Sequence, residues 1–356
     1  MLLDPTDDKK PVGLNPLSTY GRSPELVADQ LLYVFHSLYA QNWGPRTQDI
    51  LHSALLTLVR NKQMTLIALP LLLTNTGFRR KLVATIDDPI GLEPFWALYE
   101  NWSEAERTNA ISPVMNKLRP FLLRPQIRAI IGQVNPRFNI REIFTKRTIL
   151  LVNLAKGELG PETAALLGSL VIAQIWQATL GRSKVTPEKR HPVFIYVDEF
   201  QDYLRLPIDF SDALAQARGL GVGFVLAHQY MHQLDVPMRS AVINNVQSRI
   251  AFRLPFEDAK HLAAGTNLEP EDFQSLGAYL CYVQLLARNS VQPWCSSKTL
   301  LAANPISDPD LIRNASRENY GMDRDQVENS ILNLITRRNT EPDDLGRRLR
   351  RDRESS

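Results

Sequence analysis

From residue 147 onward the sequence alternates two kinds of stretch, and this alternation constrains the fold more than any other feature. Short runs rich in β-branched and aromatic residues (RTILLVNL, PVFIYVDE, VGFVLAHQ, SRIAFRL, YLCYVQLL) are mostly separated by helical segments such as ETAALLGSLVIAQIWQATL and FSDALAQARGLG. Strands alternating with helices predict an α/β fold on a mostly parallel sheet with helices on its faces. The stretch from Pro161 to Leu180 is apolar on nearly every side, so it is expected between the sheet and a neighbouring element.

The first 146 residues keep a helical period. Ser23 stands as N-cap, with Pro24 at the first helical position and Leu26, Leu31, Val34, Phe35 and Leu38 behind it, which predicts a helix from about 24 to 41. Trp43-Gly44-Pro45 breaks it, and Ile50, Leu51, Ala54, Leu55, Leu58 and Val59 mark one face of the next helix. MTLIALPLLL, GFRRKLVATI, EPFWALYENW and SPVMNKLRPFLL continue without strand alternation, as a helical subdomain. MLLDP reads as the last part of a strand ending in an acidic turn. After Leu300, DPDLIRNASRENYG and RDQVENSILNLITRR predict two amphipathic helices, and the charged tail from Asn339 is expected to be disordered.

Composition adds bounds rather than a function. With 44% hydrophobic residues in 356 the chain has ample core material, and 41 basic against 38 acidic residues predict no particular partner. Cys281 and Cys295 lack companions at metal-ligand spacing, so a reducing compartment is expected. No window is expected to match the roughly 18 apolar residues of a membrane span, and the N-terminus is unlike a signal peptide. The expected location is cytoplasmic, with docking on a membrane complex and no transmembrane segment.

The chemistry concentrates at strand ends. In open α/β sheets ligands bind beyond the carboxyl ends of the strands, where VFIYV delivers Asp198 and Glu199. In phosphoryl transfer one acid organises magnesium and a second group orients the attacking water, and adjacent acids after an apolar strand supply both. Gln229, at the tip of GVGFVLAHQ, is placed to hydrogen-bond a terminal phosphate and that water. Arg249 and Arg253 flank the strand in NNVQSRIAFRL, and arginine stabilises charge on a transferring phosphoryl group, often from a neighbouring subunit. A phosphate cradle of the form G-x-x-x-x-G-K-S/T does not occur in the sequence.

Two further groupings are weaker. His228 and His232 have the i, i+4 spacing of zinc ligands but straddle a strand-to-loop junction with no third ligand nearby, so no zinc site is expected. Residues 115 to 147 hold eight basic side chains, including Lys117, Arg119, Arg124, Arg128, Arg137 and Arg141, against the single acid Glu142. They are candidates for DNA phosphates or simply a solvated helical face.

The run from VFIYVDEFQDY through ALAQARGLGVGFVLAHQYMHQL to NNVQSRIAFRLPFEDAKHLA resembles the motor domain of TraG/TraD-type coupling proteins of conjugative type IV secretion, relatives of the FtsK and HerA translocases. PVMNKLRPFLLRPQIRAIIGQ and ILLVNLAKGELGPETAALLGSL extend the resemblance over roughly residues 1 to 330. It implies a RecA-like core and a membrane-linked homo-hexameric ATPase that pumps single-stranded DNA with its relaxase into the secretion channel. ATP and magnesium are the implied cofactors. Asp198 matches the magnesium-organising acid, acting through water, Glu199 the catalytic base and Gln229 the phosphate-sensing glutamine; Arg249 and Arg253 fall where a subunit-bridging arginine is sought. The helical stretch resembles the insertion on which relaxosome components dock. DEFQD also resembles superfamily 1 helicases, but those place a G-D-x-x-Q-type motif on the next strand, where this chain has GFVLAHQ.

In the family a P-loop strand and helix, and before them a membrane segment, precede the strand that MLLDPTDD resembles. The chain is therefore expected to be a fragment, the product of a start-site error or one half of a split motor, with an incomplete sheet and little ATPase activity alone. The expected divisions are a core remnant at 1–20, a helical segment at 21–145, a RecA-like core with a Walker B-like strand at 146–300, C-terminal helices at 301–338 and the tail at 339–356. The alternative is a non-hydrolysing adaptor that binds single-stranded DNA or relaxosome proteins through the basic run. A hydrolase using Asp198 and Glu199 with another cofactor is a third reading.

Overall fold

A computed structural model describes residues 1–336, apart from Pro207 and Asp209. The expected disordered tail lies outside the described residues. The chain forms two compact units: one comprises Met1–Gly181 and the chain from Pro309, the other Arg182–Asp308. The division differs from the sequence reading, which grouped everything from 146 to 300.

The first unit is mainly helical, and its helices start where local chemistry places them. Ser23 Oγ accepts the Leu26 amide at the head of helix Pro24–Leu38. The helix ends before 41 because the chain tightens into a 3₁₀ turn over Ala40–Asn42. In helix Pro45–Arg60 the whole expected face, Ile50 to Val59, is buried. Helix Glu104–Leu122 opens on a capping box, with the Ser103 amide donating to Glu106 and the Glu106 amide to Ser103 Oγ. The reciprocal pair satisfies two orphan donors at once.

Helix Pro161–Gly181 is buried along almost its whole length. It is long and apolar enough to cross a membrane, contrary to the expectation that no window qualifies, yet 83% of its apolar window is buried inside the protein. Its backbone and polar side chains are used in packing. The Gln30 amide donates to the Ala173 carbonyl at 2.6 Å, and the Gln174 amide to the carbonyl of Asn15.

Two short strands, β1 (Leu2–Leu3) and β2 (Leu151–Val152), pair in parallel in this unit. MLLDP is thus the expected strand end. Helix Pro309–Tyr320 closes the edge of β1, where the Leu2 amide donates to Ser316 Oγ at 2.9 Å. Arg317 bonds Asp7 in the turn that follows.

The second unit is built on strands β3 (Val193–Val197), β4 (Val222–Leu226), β5 (Arg249–Ala251), β6 (Leu280–Gln284), β7 (Leu286–Ala287), β8 (Ser290–Val291) and β9 (Cys295–Lys298). β3 and β4 pair in parallel over their full length, Val193 opposite Val222 and Val197 opposite Leu226. Helix Phe210–Gly219 connects them, and Gly221, at φ +71°, makes the turn into β4. An L side chain is strained in that conformation.

β5, β6 and β9 form a separate antiparallel sheet. The chain comes back from β5 through helices Phe256–Ala263 and Pro270–Gln274, and from β6 through the β7–β8 hairpin. The fold is α/β with a helical region, but among the described residues parallel pairing is confined to β1–β2 and β3–β4. Among the described residues β4 and β5 each have a strand partner along one edge only.

Candidate active site

β3 ends at the buried Val197, and the backbone then reverses within two residues. Glu199 takes a left-handed conformation, φ 47° and ψ 47°. For a residue with a Cβ this costs about 1–2 kcal/mol. Its neighbours impose it. The Ala227 amide donates to the Val197 carbonyl at 3.0 Å and the Phe200 amide to the Ala227 carbonyl at 3.2 Å, while the Phe200 ring is fully buried. Strain held this way at the end of a strand is characteristic of functional turns.

The reversal puts the carboxylates to different uses. Asp198 Oδ1 accepts the Glu199 amide at 3.0 Å, and the Asp198 side chain is exposed. Glu199 Oε1 accepts from Gln229 Nε2 at 3.0 Å. Residues 30 apart in sequence therefore meet at the carboxyl ends of adjoining parallel strands, where α/β sheets bind ligands. The sequence reading named all three residues but not the contact between them.

His228, beside Gln229, packs edge-on against Phe200 with centroids 5.6 Å apart. Burial lowers its pKa, and the Asp258 carboxylate opposes that shift only in part. Among the described residues no group of three or more His, Cys, Asp and Glu side chains has metal-binding geometry. The oxygen donors offered to a hard cation are the Asp198 and Glu199 carboxylates. A carboxylate with one oxygen on a backbone amide and the other open to solvent suits magnesium, which keeps most of its waters.

The two arginines separate. Arg249 donates from Nε to the Val246 carbonyl at 3.0 Å and from Nη2 to Ile243 at 2.7 Å, so it caps the end of helix Val236–Asn245; burial lowers its pKa. Arg253 is exposed just beyond β5 and has no hydrogen-bond or ion-pair partner among the described residues. Of the pair, Arg253 is the available cation.

The basic run lies in the first unit, and much of it is engaged internally. Lys117 is buried and bonds the Pro113 carbonyl. Arg124 donates to Thr163 Oγ1, Arg128 to Leu122 O and to Glu328, and Arg141 lies over the Tyr20 ring. Lys146 pairs with Glu142. Arg119 and Arg137 are exposed.

Sequence reasoning missed Gln233 and Asp258. Gln233 Oε1 accepts the amides of Gln229 and Tyr230, and Asp258 Oδ2 accepts that of Met231. The Q-x-x-x-Q spacing was the one local clue to the first. For the second the sequence carried none.

No family model and no curated protein matches this chain. Solved structures do. The unbound monoclinic form of the bacterial conjugative coupling protein TrwBΔN70 superposes with a TM-score of 0.56 at 15% identity, covering 85% of this chain and 74% of that one. The plasmid coupling protein TrwB with the non-hydrolysable GTP analogue GDPNP gives 0.54 at 16% identity, with the same coverage. TrwB with the ATP analogue ADPNP gives 0.53 at 15% identity, again covering 85% and 74%. At such identities the likeness shows a shared fold.

Proposed function

We propose that this chain carries the water-activating side of a nucleotide-hydrolysing motor of the conjugative coupling type. One observation carries the reading: Glu199, held in a strained turn at the end of β3, receives the Gln229 amide from the end of β4 at 3.0 Å. Mg-ATP, when bound, supplies the phosphoryl group and the cation that neutralises its charge. Asp198 would hold the magnesium, through water. Glu199 takes the proton of the attacking water, and Gln229 fixes the Glu199 carboxylate and reports on the terminal phosphate. Arg253, free and exposed, serves the site of a neighbouring subunit in a homo-hexamer, while Arg249 keeps helix Val236–Asn245 in place.

The phosphate cradle comes from outside these residues, because the sequence has no glycine-rich loop with a lysine. The single-partnered edges of β4 and β5 suit an added strand. The wider role is to drive single-stranded DNA with its relaxase into a membrane secretion channel, with relaxosome proteins docking on the helical unit. The TrwB likeness supports this role, since TrwB is a plasmid coupling protein solved with nucleotide analogues. No observation favours the adaptor reading to the same degree, because so many of its basic side chains are bonded within their own unit.

The test is Mg-ATP hydrolysis by the chain with and without a supplied P-loop strand–helix segment. Turnover is expected only with the segment, and Glu199→Gln should then lower kcat by about 10²–10⁴-fold, the usual contribution of a general base. Turnover that Glu199→Gln leaves unchanged sinks the proposal, as does its absence with the segment in place.

A further inference from the structure

The loop that carries Gln229 leaves β4 at Leu226, and its bonds to the β3 end stop with Ala227. Three side chains take over. Gln233 Oε1 accepts the amides of Gln229 at 3.1 Å and Tyr230 at 3.3 Å, but Gln233 belongs to the loop and moves with it. Arg239 donates from Nε to the Met231 carbonyl and from Nη2 to the Leu234 carbonyl, both at 3.1 Å, from the helix that follows directly in the chain. Asp258 alone of the three reaches in from a distant element. Its Oδ2 accepts the Met231 amide at 2.9 Å across 27 residues. Met231 is thereby held through both its backbone groups.

The helix that offers Asp258, Phe256–Ala263, is itself anchored. Ala259 and Ala263 are buried in a small core with Ala251 and Phe273, against which Leu254, Tyr282 and Trp294 pack. A carboxylate accepting a backbone N–H makes a charge-assisted bond, roughly twice as strong as a neutral one. Asp258 also lies close enough to His228 to act on its charge, and His228 packs on Phe200, the residue after Glu199. Two routes, one through Met231 and one through His228, thus lead from one carboxylate to the Glu199–Gln229 pair.

From this geometry we infer that Asp258 is a positioning residue: it clamps the Gln229 loop to the core beside β5 and so sets the contact of Gln229 with Glu199. The inference rests on reading that pair as the water-orienting one. A plainer role exists for an acid in the first turn of a helix, which is to oppose the helix dipole. That role would change stability without moving Gln229.

Glutamine-labelled protein separates the two. The side-chain amide signal of Gln229 is recorded in the unmodified chain, and Glu199→Ala marks its position when the contact is broken. Asp258→Ala should move the signal to that position and speed amide exchange at Met231 about tenfold, the loss of one hydrogen bond to a charged group. Asp258→Asn keeps an oxygen acceptor and should leave the signal near its original place. Met231→Pro removes the donor instead; the preceding Tyr230 is already extended, as a residue before proline must be. It should reproduce the Asp258→Ala shift and add nothing when combined with it, and it carries the test should Asp258→Ala fail to fold.

A Gln229 signal that stays put in both variants overturns the proposal, even if the melting temperature falls. None of these measurements requires nucleotide, so failure of the hydrolysis assay leaves them decisive. Where turnover is obtained with the supplied segment, Asp258→Ala should lower kcat at constant KM and Asp258→Asn should restore it. A change in KM alone counts against the clamp.

Discussion

Helix Pro161–Gly181 and strand β3 are among the most apolar stretches of the chain, and their surroundings differ. The helix is covered on nearly every side. β3 turns Phe194 and Tyr196 outward with 63% and 74% of their surface exposed, beside Val225 on β4. Parallel strands normally have both faces covered, so their sequences carry no polar face. In the helix composition and burial agree, and in β3 they do not. The bare aromatic residues lead directly to Asp198 and Glu199, so the uncovered strand runs into the two candidate carboxylates.

That contrast has measurable consequences, the largest in the helical unit. Phe35, almost fully buried on helix Pro24–Leu38, should cost about 3–5 kcal/mol when replaced by alanine, seen as a fall in the urea midpoint. A loss below 1 kcal/mol would mean that the helical core is as loosely covered as β3. Such a result would end the comparison.

A smaller effect tests how the first unit closes its own strand edge. Asp7 bonds Arg317 at 2.5 Å, beside the Leu2–Ser316 contact that covers β1. Burial alone would raise the Asp7 pKa, but the Arg317 guanidinium and the amides of Lys9 and Lys10 outweigh it and hold it below the ordinary 3.8. A carboxylate depressed in the folded state adds stability above its unfolded pKa and loses it as pH falls through the folded one. Asp7→Asn should therefore cost on the order of 1 kcal/mol at pH 7 after solvent screening. The cost should vanish in strong acid, a trend that thermal melts across pH would follow. A cost that persists at the lowest pH would point to packing rather than charge.

The same contrast marks what the sequence made legible. Helix Pro161–Gly181 was readable to within a residue, because its apolar run is bounded by a proline and a glycine. The position of Asp198, Glu199 and Gln229 at strand ends was readable because a polar tip on an apolar strand is a local signal. Pairing was not local. Arg249 looked like a candidate for phosphate, yet its guanidinium bonds the carbonyls that end a helix three to six residues earlier. Arg128 found Glu328, 200 residues away, and helical spacing distributed its basic neighbours around several faces. The antiparallel sheet was missed because period-2 runs do not encode direction; the connections do.

The smallest predicted change bears on the bare face itself. Phe194 and Tyr196 lie on alternate positions of β3, opposite Gly223 and Val225. Exposed as they are, replacing both by serine should shift stability by no more than about 0.5 kcal/mol, the range of surface substitutions away from special features. Contiguous exposed apolar surface on a protein commonly marks a place of interaction. A loss well above 1 kcal/mol would show that something covers this face in solution, so that β3 is packed much as helix Pro161–Gly181 is. A near-neutral result, set beside a costly Phe35→Ala, would leave the aromatic face open and available to a partner, such as the proposed segment carrying a phosphate cradle.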